Sequence, residues 1–506
     1  MDSPFDDFVS VDSAPLFENA QTTAGEVVKL RLLWGDGVQV LETGATRTRV
    51  RARGRERTGW IANDALGGQS LLELYFIDVG QGDGVLIKSP DFRHLMIDGG
   101  WPRRNQDTGK NAADFVDWKF FEDYARDRIE LEAMICSHND QDHYGGLWDL
   151  LDASQSVELD ASDVRVRDFY HAGLGWWRRP GGGDKWLGPH ASIDGETFFT
   201  QLMGDRAAVL AAIAAGAQPA LAGEWRDFLE RVTQARWTDD TPTRITRLSH
   251  LADTLPGFAA ATPTSPGLRV LAPVEFDVAG APAIRRYGST TSQNTNGSSV
   301  LLRLDYGRVR VLLTGDLNKR SQRALLEDYT GERQELACDV AKACHHGSDD
   351  VSFEFLQTLL PAVTVISSGD NEGHDHPRPS VVAASAITGF FEEHDDELVS
   401  PLVYSTELAR SVSFGDPFRF EERDAGGAVA GEIDGTALDR CRIHYRETKS
   451  GERQPRVRSK RVGDALIVAG LIYGLVNVRT DGDTILCATL DEKDHDWRIH
   501  KLQSRF

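Results

Sequence analysis

Ser137-His138-Asn139-Asp140-Gln141-Asp142-His143-Tyr144-Gly145-Gly146 follows directly on the apolar run Leu131-Glu132-Ala133-Met134-Ile135-Cys136. A strand ending in a loop of this kind turns alternate side chains toward one point. Two imidazoles and the oxygens of Asn139, Asp140 and Asp142 therefore fall within reach of one or two cations. The opposing reading is an acidic, solvated loop with incidental histidines. Further segments of the same type elsewhere in the chain weigh against it.

Working outward, Leu95-Met96-Ile97-Asp98-Gly99-Gly100 ends a strand in Asp98, where a carboxylate can orient a ligand histidine. Val311-Leu312-Leu313-Thr314-Gly315-Asp316-Leu317 ends another in Asp316, which can lie deep between two cations and bridge them. Lys342-Ala343-Cys344-His345-His346-Gly347-Ser348 brings two adjacent histidines. The segment Val365 to Pro377 presents His374 and His376 in a loop. Singly each is a weak signal; five strand-end segments in this order are a strong one.

These pieces resemble the metallo-β-lactamase-fold hydrolases, in the branch that holds the nuclease domain of the DNA-uptake channel protein ComEC. The resemblance rests on F-I-D-V-G-Q-G-D (76–83), I-D-G-G, S-H-N-D-Q-D-H-Y-G-G, N-G-S-S-V-L (296–301), L-T-G-D-L, H-H-G-S and G-D-N-E-G-H-D-H-P. It runs from about Leu72 to Val382. It implies an αββα sandwich with the metal site along one edge of two sheets, an α/β (α+β) fold overall. It places His138 and Asp140 on one metal and Asp142, His143 and His345 on the other, with Asp316 between them. Asp98 supports from behind, and His346 is either a supporting donor or the ligand in place of His345. In the wider superfamily a histidine stands at Asp140 and another near Asn296. Asp and Asn there make the first site richer in oxygen, shifting preference from Zn²⁺ toward Mn²⁺ or Mg²⁺. One or two divalent ions stay open. His376 is expected to contact the scissile phosphate or protonate the leaving oxygen, against the plainer reading of a turn histidine before Pro377. Asn296, Lys342, His346 and Ser348 are candidate substrate contacts.

The whole chain of 506 residues has room for two or three domains. Its net charge of −22 argues against indiscriminate binding of nucleic acid over the whole surface. Cys136, Cys338, Cys344, Cys441 and Cys487 form no C-x-x-C pair, so neither a disulfide framework nor a thiolate zinc site is expected. The acidic start M-D-S-P-F-D-D-F has no apolar core, and the apolar stretch from Ala465 to Val478 is short and broken by glycine. A cytoplasmic protein with no membrane span is expected.

Four segments follow from the pattern. Residues 1–24 read as an acidic flexible arm. Residues 25–68, short strands around W-G-D-G and G-W-I-A-N-D-A-L, resemble a small SH3-like β-barrel. Residues 69–415 read as the catalytic domain, with an insertion at about 153–270, and 416–506 as a C-terminal mixed accessory region. Arg47, Arg49, Arg51, Arg53, Arg55 and Arg57 recur at period two, either as a solvated hairpin edge or as a phosphate-contacting stripe. Trp176, Trp177 and Trp186, interleaved with Arg178, Arg179 and Lys185, either stack single-stranded bases or pack the insertion onto the core.

The reading that joins these features is a metal-dependent phosphodiesterase, a nuclease acting on DNA or RNA with water activated on the ions. Two others stand beside it: a metallo-hydrolase of a small phosphodiester, ester or lactone, and a regulatory protein whose SH3-like or C-terminal region binds a protein partner while the metal site is secondary. Oligomeric state is not legible.

Overall fold

The computed structural model describes residues 2–21, 26–106, 109–154, 158–183, 185–369 and 376–406. Beyond these it describes 413–415, 419–424, 428–438, 440–447, 456–461, 467–469, 475–491 and 496–506. The loop residues 370–375, His374 among them, and the longer part of the basic stretch 449–461 lie outside the described residues.

The N-terminal module is a six-stranded sheet of β1 (Asp7–Phe8), β2 (Ser13–Phe17), β3 (Val28–Leu33), β4 (Gly37–Thr43), β5 (Arg47–Arg51) and β6 (Thr58–Ala62), in the order β1-β4-β5-β6-β2-β3. Alternation puts Ala14, Leu16, Leu32, Val38, Val50 and Ile61 into one core. The module thus begins before residue 25. The segment expected to be a flexible arm supplies β1 and β2, because Ala14 and Leu16 have an apolar face to fill. Phe5 packs edge-on against Phe92 and Tyr124 of the next region.

The period-two arginines are largely consumed inside the protein. Arg47 pairs with Glu26 at 2.9 Å and lies 3.8 Å over the Phe17 ring. Arg51 bonds Gln39 and the Asp123 carbonyl. Arg53 pairs with Asp36 at 3.0 Å, and Arg55 covers Phe121. Planar guanidinium groups stack and fork at this junction, so a continuous phosphate-facing stripe does not form.

The next region is built on two sheets. In the first, β7 (Leu72–Ile77), β8 (Val85–Lys88) and β9 (His94–Ile97) run antiparallel. Then β10 (Arg128–Cys136), β11 (Asp163–His171) and β14 (Arg244–Arg247) continue parallel to β9. On the far side of β7 the sheet gains three strands from the end of the chain, Leu475–Thr480, Thr484–Asp491 and Asp496–Gln503. The C-terminal part of the segment read as an accessory region is therefore integral to this sheet. Val476, Val478 and Ile485 enter its core, a long-range pairing that local pattern does not encode. Likewise β11 and β14 come from the stretch read as an insertion. Between them lie β12 (His190–Ile193), β13 (Glu196–Phe199), α3 (Arg206–Ile213) and α4 (Gly223–Gln234).

The second sheet contains β15 (Gly267–Ala272), β18 (Leu301–Tyr306), β19 (Val309–Leu313), β20 (Val340–Lys342), β21 (Val363–Ile366) and β24 (Leu402–Ser405) in that order, parallel from β19 onward. A hairpin of β16 (Glu275–Val278) and β17 (Ala281–Arg285) joins β13, and β22 (Glu392–His394) pairs with β23 (Glu397–Ser400).

Leu74, Phe76, Ile87, Leu95 and Ile135 from the first sheet meet Leu268, Leu302, Leu304, Val311 and Val363 from the second in one buried core. The opposite face of the first sheet packs on α1 (Ala112–Trp118), α2 (Gln141–Leu151) and α4. That of the second packs on α6 (Lys319–Asp328) and α7 (Phe353–Leu359). Strands covered on both faces read as near-continuous apolar runs, which is how Leu72–Ile77 and Leu131–Cys136 look apart from Glu73 and Glu132. The fold is mixed α/β, dominated by strands. Among the described residues no helix is long and apolar enough to cross a membrane.

Candidate metal centre

The candidate ligands sit at the carboxyl ends of parallel strands or in the loops just past them: Asp98 after β9, the 137–143 loop after β10, Asp316 after β19 and His345-His346 after β20. Parallel strands deliver their following loops to one edge, so residues 200 positions apart arrive together. Two backbones approach closely to allow this. A Cβ on Gly146 would stand 2.1 Å from the Gly99 carbonyl oxygen, so the Gly-Gly of each motif lets α2 pack directly on the Asp98 turn. Asp98, His345 and His346 all have left-handed backbones, φ +54°, +48° and +53°, unfavourable for side-chain-bearing residues and held by the surrounding fold.

His143 is fully buried. Its Nδ1 lies 2.9 Å from Asp98 Oδ2, while Asp98 Oδ1 accepts from the Ser137 backbone at 2.7 Å. The ring is thereby fixed with Nε2 facing Asp316 at 3.4 Å and Asp142 at 4.0 Å. His138 is held through Nδ1 by the hydroxyls of Ser137 at 3.0 Å and Ser299 at 3.3 Å. His346 has Nδ1 3.2 Å from the Ser367 carbonyl; its Nε2 approaches Asp316 at 3.1 Å and Asp142 at 3.6 Å. His345 lies further out, Nε2 3.9 Å from Asp316, a quarter exposed and beside the Asn296 amide at 3.2 Å.

Among the described residues four triads of donor atoms could hold an ion: His138, His143 and Asp316; Asp142, His143 and His346; Asp83, Asp316 and His346; and, behind His143, Asp83, Asp98 and His143. Asp83, from Q-G-D in the 76–83 motif, received no role from the sequence. It is 3% exposed, paired with the Lys342 ammonium and 3.3 Å from His346 Nδ1. The motif itself was the signal, and the three-residue spacing from Gly80 to Asp83 gave no hint of a ligand position.

The expected substrate contacts divide. Lys342 is 2% exposed and engaged by Asp83 and the Gly315 carbonyl, so it braces the cluster from inside. Asn296 reaches Asp140 Oδ2 at 3.1 Å and His345 Nε2 at 3.2 Å in the amide orientation that satisfies both. Asp140 itself stands at the rim, its side chain 28% exposed, 3.7 Å from His138 Nε2. The His376 ring centre is 5.8 Å from that of His345. Ser348 receives the Asp350 backbone N–H.

The electrostatics are those of a carboxylate cluster short of positive charge. Burial opposes ionisation of Asp316, yet His346, His143 and His345 pull its carboxyl well below the usual range. Burial works against charge on His143 and His346 too, but Asp316 and neighbouring carboxylates lift both well above an ordinary imidazole. His138 is pushed down to about 3 by burial and by His143. Asp140 is raised to about 7 by burial and by Asp142. Protons on two imidazoles thus offset charge that a divalent cation would offset more fully. A cation also fits the unmet polar atoms: His138 Nε2, His143 Nε2, His346 Nε2, Asp83 Oδ1 and Asp316 Oδ1 are buried with no aligned hydrogen-bond partner. Cys136 Sγ is turned to the His138 carbonyl at 2.9 Å, and the donor set is nitrogen and oxygen only.

No family model matches the chain. Over 88 residues, 17% of its length, it is 34% identical to ComE operon protein 3 of Bacillus subtilis (strain 168). Over 121 residues, 24% of its length, it is 36% identical to Competence protein ComA of Neisseria gonorrhoeae. The matched stretches cover 11% and 16% of those two proteins, so the chain corresponds to a small part of either.

Proposed function

We propose that the chain is a metal-dependent phosphodiesterase of the metallo-β-lactamase fold that cleaves nucleic acid. The observation that carries this reading is the set of buried, unmet imidazole and carboxylate atoms converging from the β7–β8 turn and from the loops after β10, β19 and β20. The partial likeness to two competence proteins supports DNA as the substrate class.

His138, His143, His346, Asp142 and Asp316 would hold one or two divalent ions, Zn²⁺ or Mn²⁺ with Mg²⁺ also suited. A bound divalent cation supplies a Lewis acid that polarises the phosphoryl oxygens and makes water acidic. The protein's own groups do the positioning. Asp98 fixes the His143 tautomer, Ser137 and Ser299 fix His138, and Lys342 holds Asp83 against the back of the cluster. Asp140, Asn296 and His345 form the open face, and His376 beside His345 is placed to give a proton to the leaving oxygen. His346 is preferred over His345 as the ligand, since it is fully buried and closer to Asp316. The N-terminal sheet fits the SH3-like reading as an accessory module.

The test is incubation of purified protein with Mn²⁺, Mg²⁺ or Zn²⁺ and each of single-stranded DNA, duplex DNA, RNA and bis-p-nitrophenyl phosphate. Turnover of the polynucleotides, lost in chelator, is expected. Cleavage of the small ester alone would replace the nuclease reading with a small-phosphodiester hydrolase.

A further inference from the structure

The excursion between β11 and β14 is bolted to the metal loop. Trp176, just past the end of β11, donates from Nε1 to the Asn139 carbonyl at 2.7 Å. The Trp177 backbone N–H bonds the Trp186 carbonyl at 2.8 Å in an antiparallel bridge, and Arg179 bonds Gly183 at 2.9 Å. Residues 177–183 and 185–186 therefore double back on each other, with their base on the 137–143 loop. Trp176 and Trp177 are 7% and 1% exposed, so they pack this base and offer no face for stacking a nucleobase.

What the hairpin does offer is a net positive charge, Arg178, Arg179 and Lys185 outnumbering Asp184. Arg178, Arg179 and Lys185 are exposed. The Lys185 ammonium lies 5.7 Å from the centre of the Trp176 ring, whose other end holds Asn139. In a chain of net charge −22, such a hairpin beside the centre is a local reversal of sign.

We infer that this hairpin is an arm that holds single-stranded polynucleotide, with Lys185 binding a backbone phosphate adjacent to the one presented to the centre. The centre is recessed, with His143 and His346 wholly buried, and a flexible strand can bend into it more readily than a duplex. The location of the arm's ligand rests on the phosphodiesterase reading, but binding can be measured without turnover.

The experiment is fluorescence anisotropy of a labelled oligothymidylate of about 12 nucleotides, within the span one such groove covers. It is run on the full chain in EDTA over a series of salt concentrations. Each phosphate neutralised on a single strand contributes about 0.7 to the slope of log affinity against log salt. Lys185→Ala is expected to weaken binding by roughly 3- to 10-fold and flatten the slope by about that amount. Lys185→Arg should bind as wild type, as should Arg498→Ala on the outer strand of the first sheet, an equal change of charge. Circular dichroism checks that the exposed substitutions leave the fold intact. Unchanged affinity and slope in Lys185→Ala, or an oligonucleotide that wild type does not bind, would overturn the arm. Turnover of bis-p-nitrophenyl phosphate judges the other reading separately. Turnover without a Lys185 effect sinks the arm alone; binding through Lys185 with no turnover under any ion sinks the hydrolase alone.

Discussion

Two regions of this molecule gather charge below the surface and handle it in opposite ways. At the junction of the N-terminal sheet with the nine-stranded sheet, Asp36, Glu73 and Asp123 face Arg53, Lys88, Lys119 and Arg479. The pairs close at 2.6 to 3.3 Å: Asp36 with Arg53 and Arg479, Glu73 with Lys88 and Arg479, Asp123 with Lys119. At the edge of the two sheets the buried Asp83, Asp98 and Asp316, with Asp142 and Asp140 nearer the rim, face one buried lysine among the described residues, Lys342, and imidazoles with bare nitrogens. Matched charge in a dry interior acts as a joint; unmatched charge is tolerated only where something else arrives to balance it.

The largest expected effect lies on the unmatched side. Asp142→Ala and His143→Ala should each lower metal-dependent kcat/KM by about a thousandfold or more, roughly 4 kcal/mol, while circular dichroism stays native. Activity within tenfold of wild type in either variant would erase the distinction.

On the matched side, Arg479→Met takes the shared cation from Asp36 and Glu73, leaving them Arg53 and Lys88, and should cost about 3–5 kcal/mol of stability, read as a lowered urea midpoint. A loss below about 1 kcal/mol would mean the network is not a joint.

The same network should respond to acid. Burial would raise the carboxyls of Asp36 and Glu73, but Arg479 and neighbouring cations hold both below their ordinary values. Groups that bind protons less well folded than unfolded stabilise above the unfolded value, near pH 4 to 4.5, and lose that contribution as pH falls. Urea midpoints should therefore drop steeply below about pH 4.5 in wild type and less steeply in Arg479→Met.

The smallest effect concerns Asp140, whose carboxyl is raised to about 7 by burial and by Asp142. A raised carboxyl opposes folding progressively from its unfolded value, near 4, up to 7, and fully above that. At pH 8 in chelator Asp140→Asn should thus be stabilised, by on the order of 1 kcal/mol, because the rim position is screened by water. A lowered melting temperature would contradict the excess of negative charge.

Much of the centre was legible along the chain. Each ligand segment couples an apolar run to a short polar turn, and both properties are local. Asp98, His138, Asp142, His143 and Asp316 could therefore be named before any fold was known, and they converge. Asp83 and the order of the two histidines could not. His345 and His346 differ by one position, and only the left-handed turn at both residues decides which imidazole points inward. Lys342 looked like a substrate contact because it stands beside H-H-G; its burial against Asp83 comes from a partner 259 residues away.

By itself the sequence determined the strand-and-turn pattern and the order of the candidate ligand segments, because these rest on neighbouring residues. Tertiary structure alone decided that the chain's last strands complete the first sheet, that the arginine stripe is absorbed at a junction, and that the tryptophan hairpin leans on the metal loop. Those outcomes depend on which distant surfaces exclude water from one another, and that is a property of the folded whole.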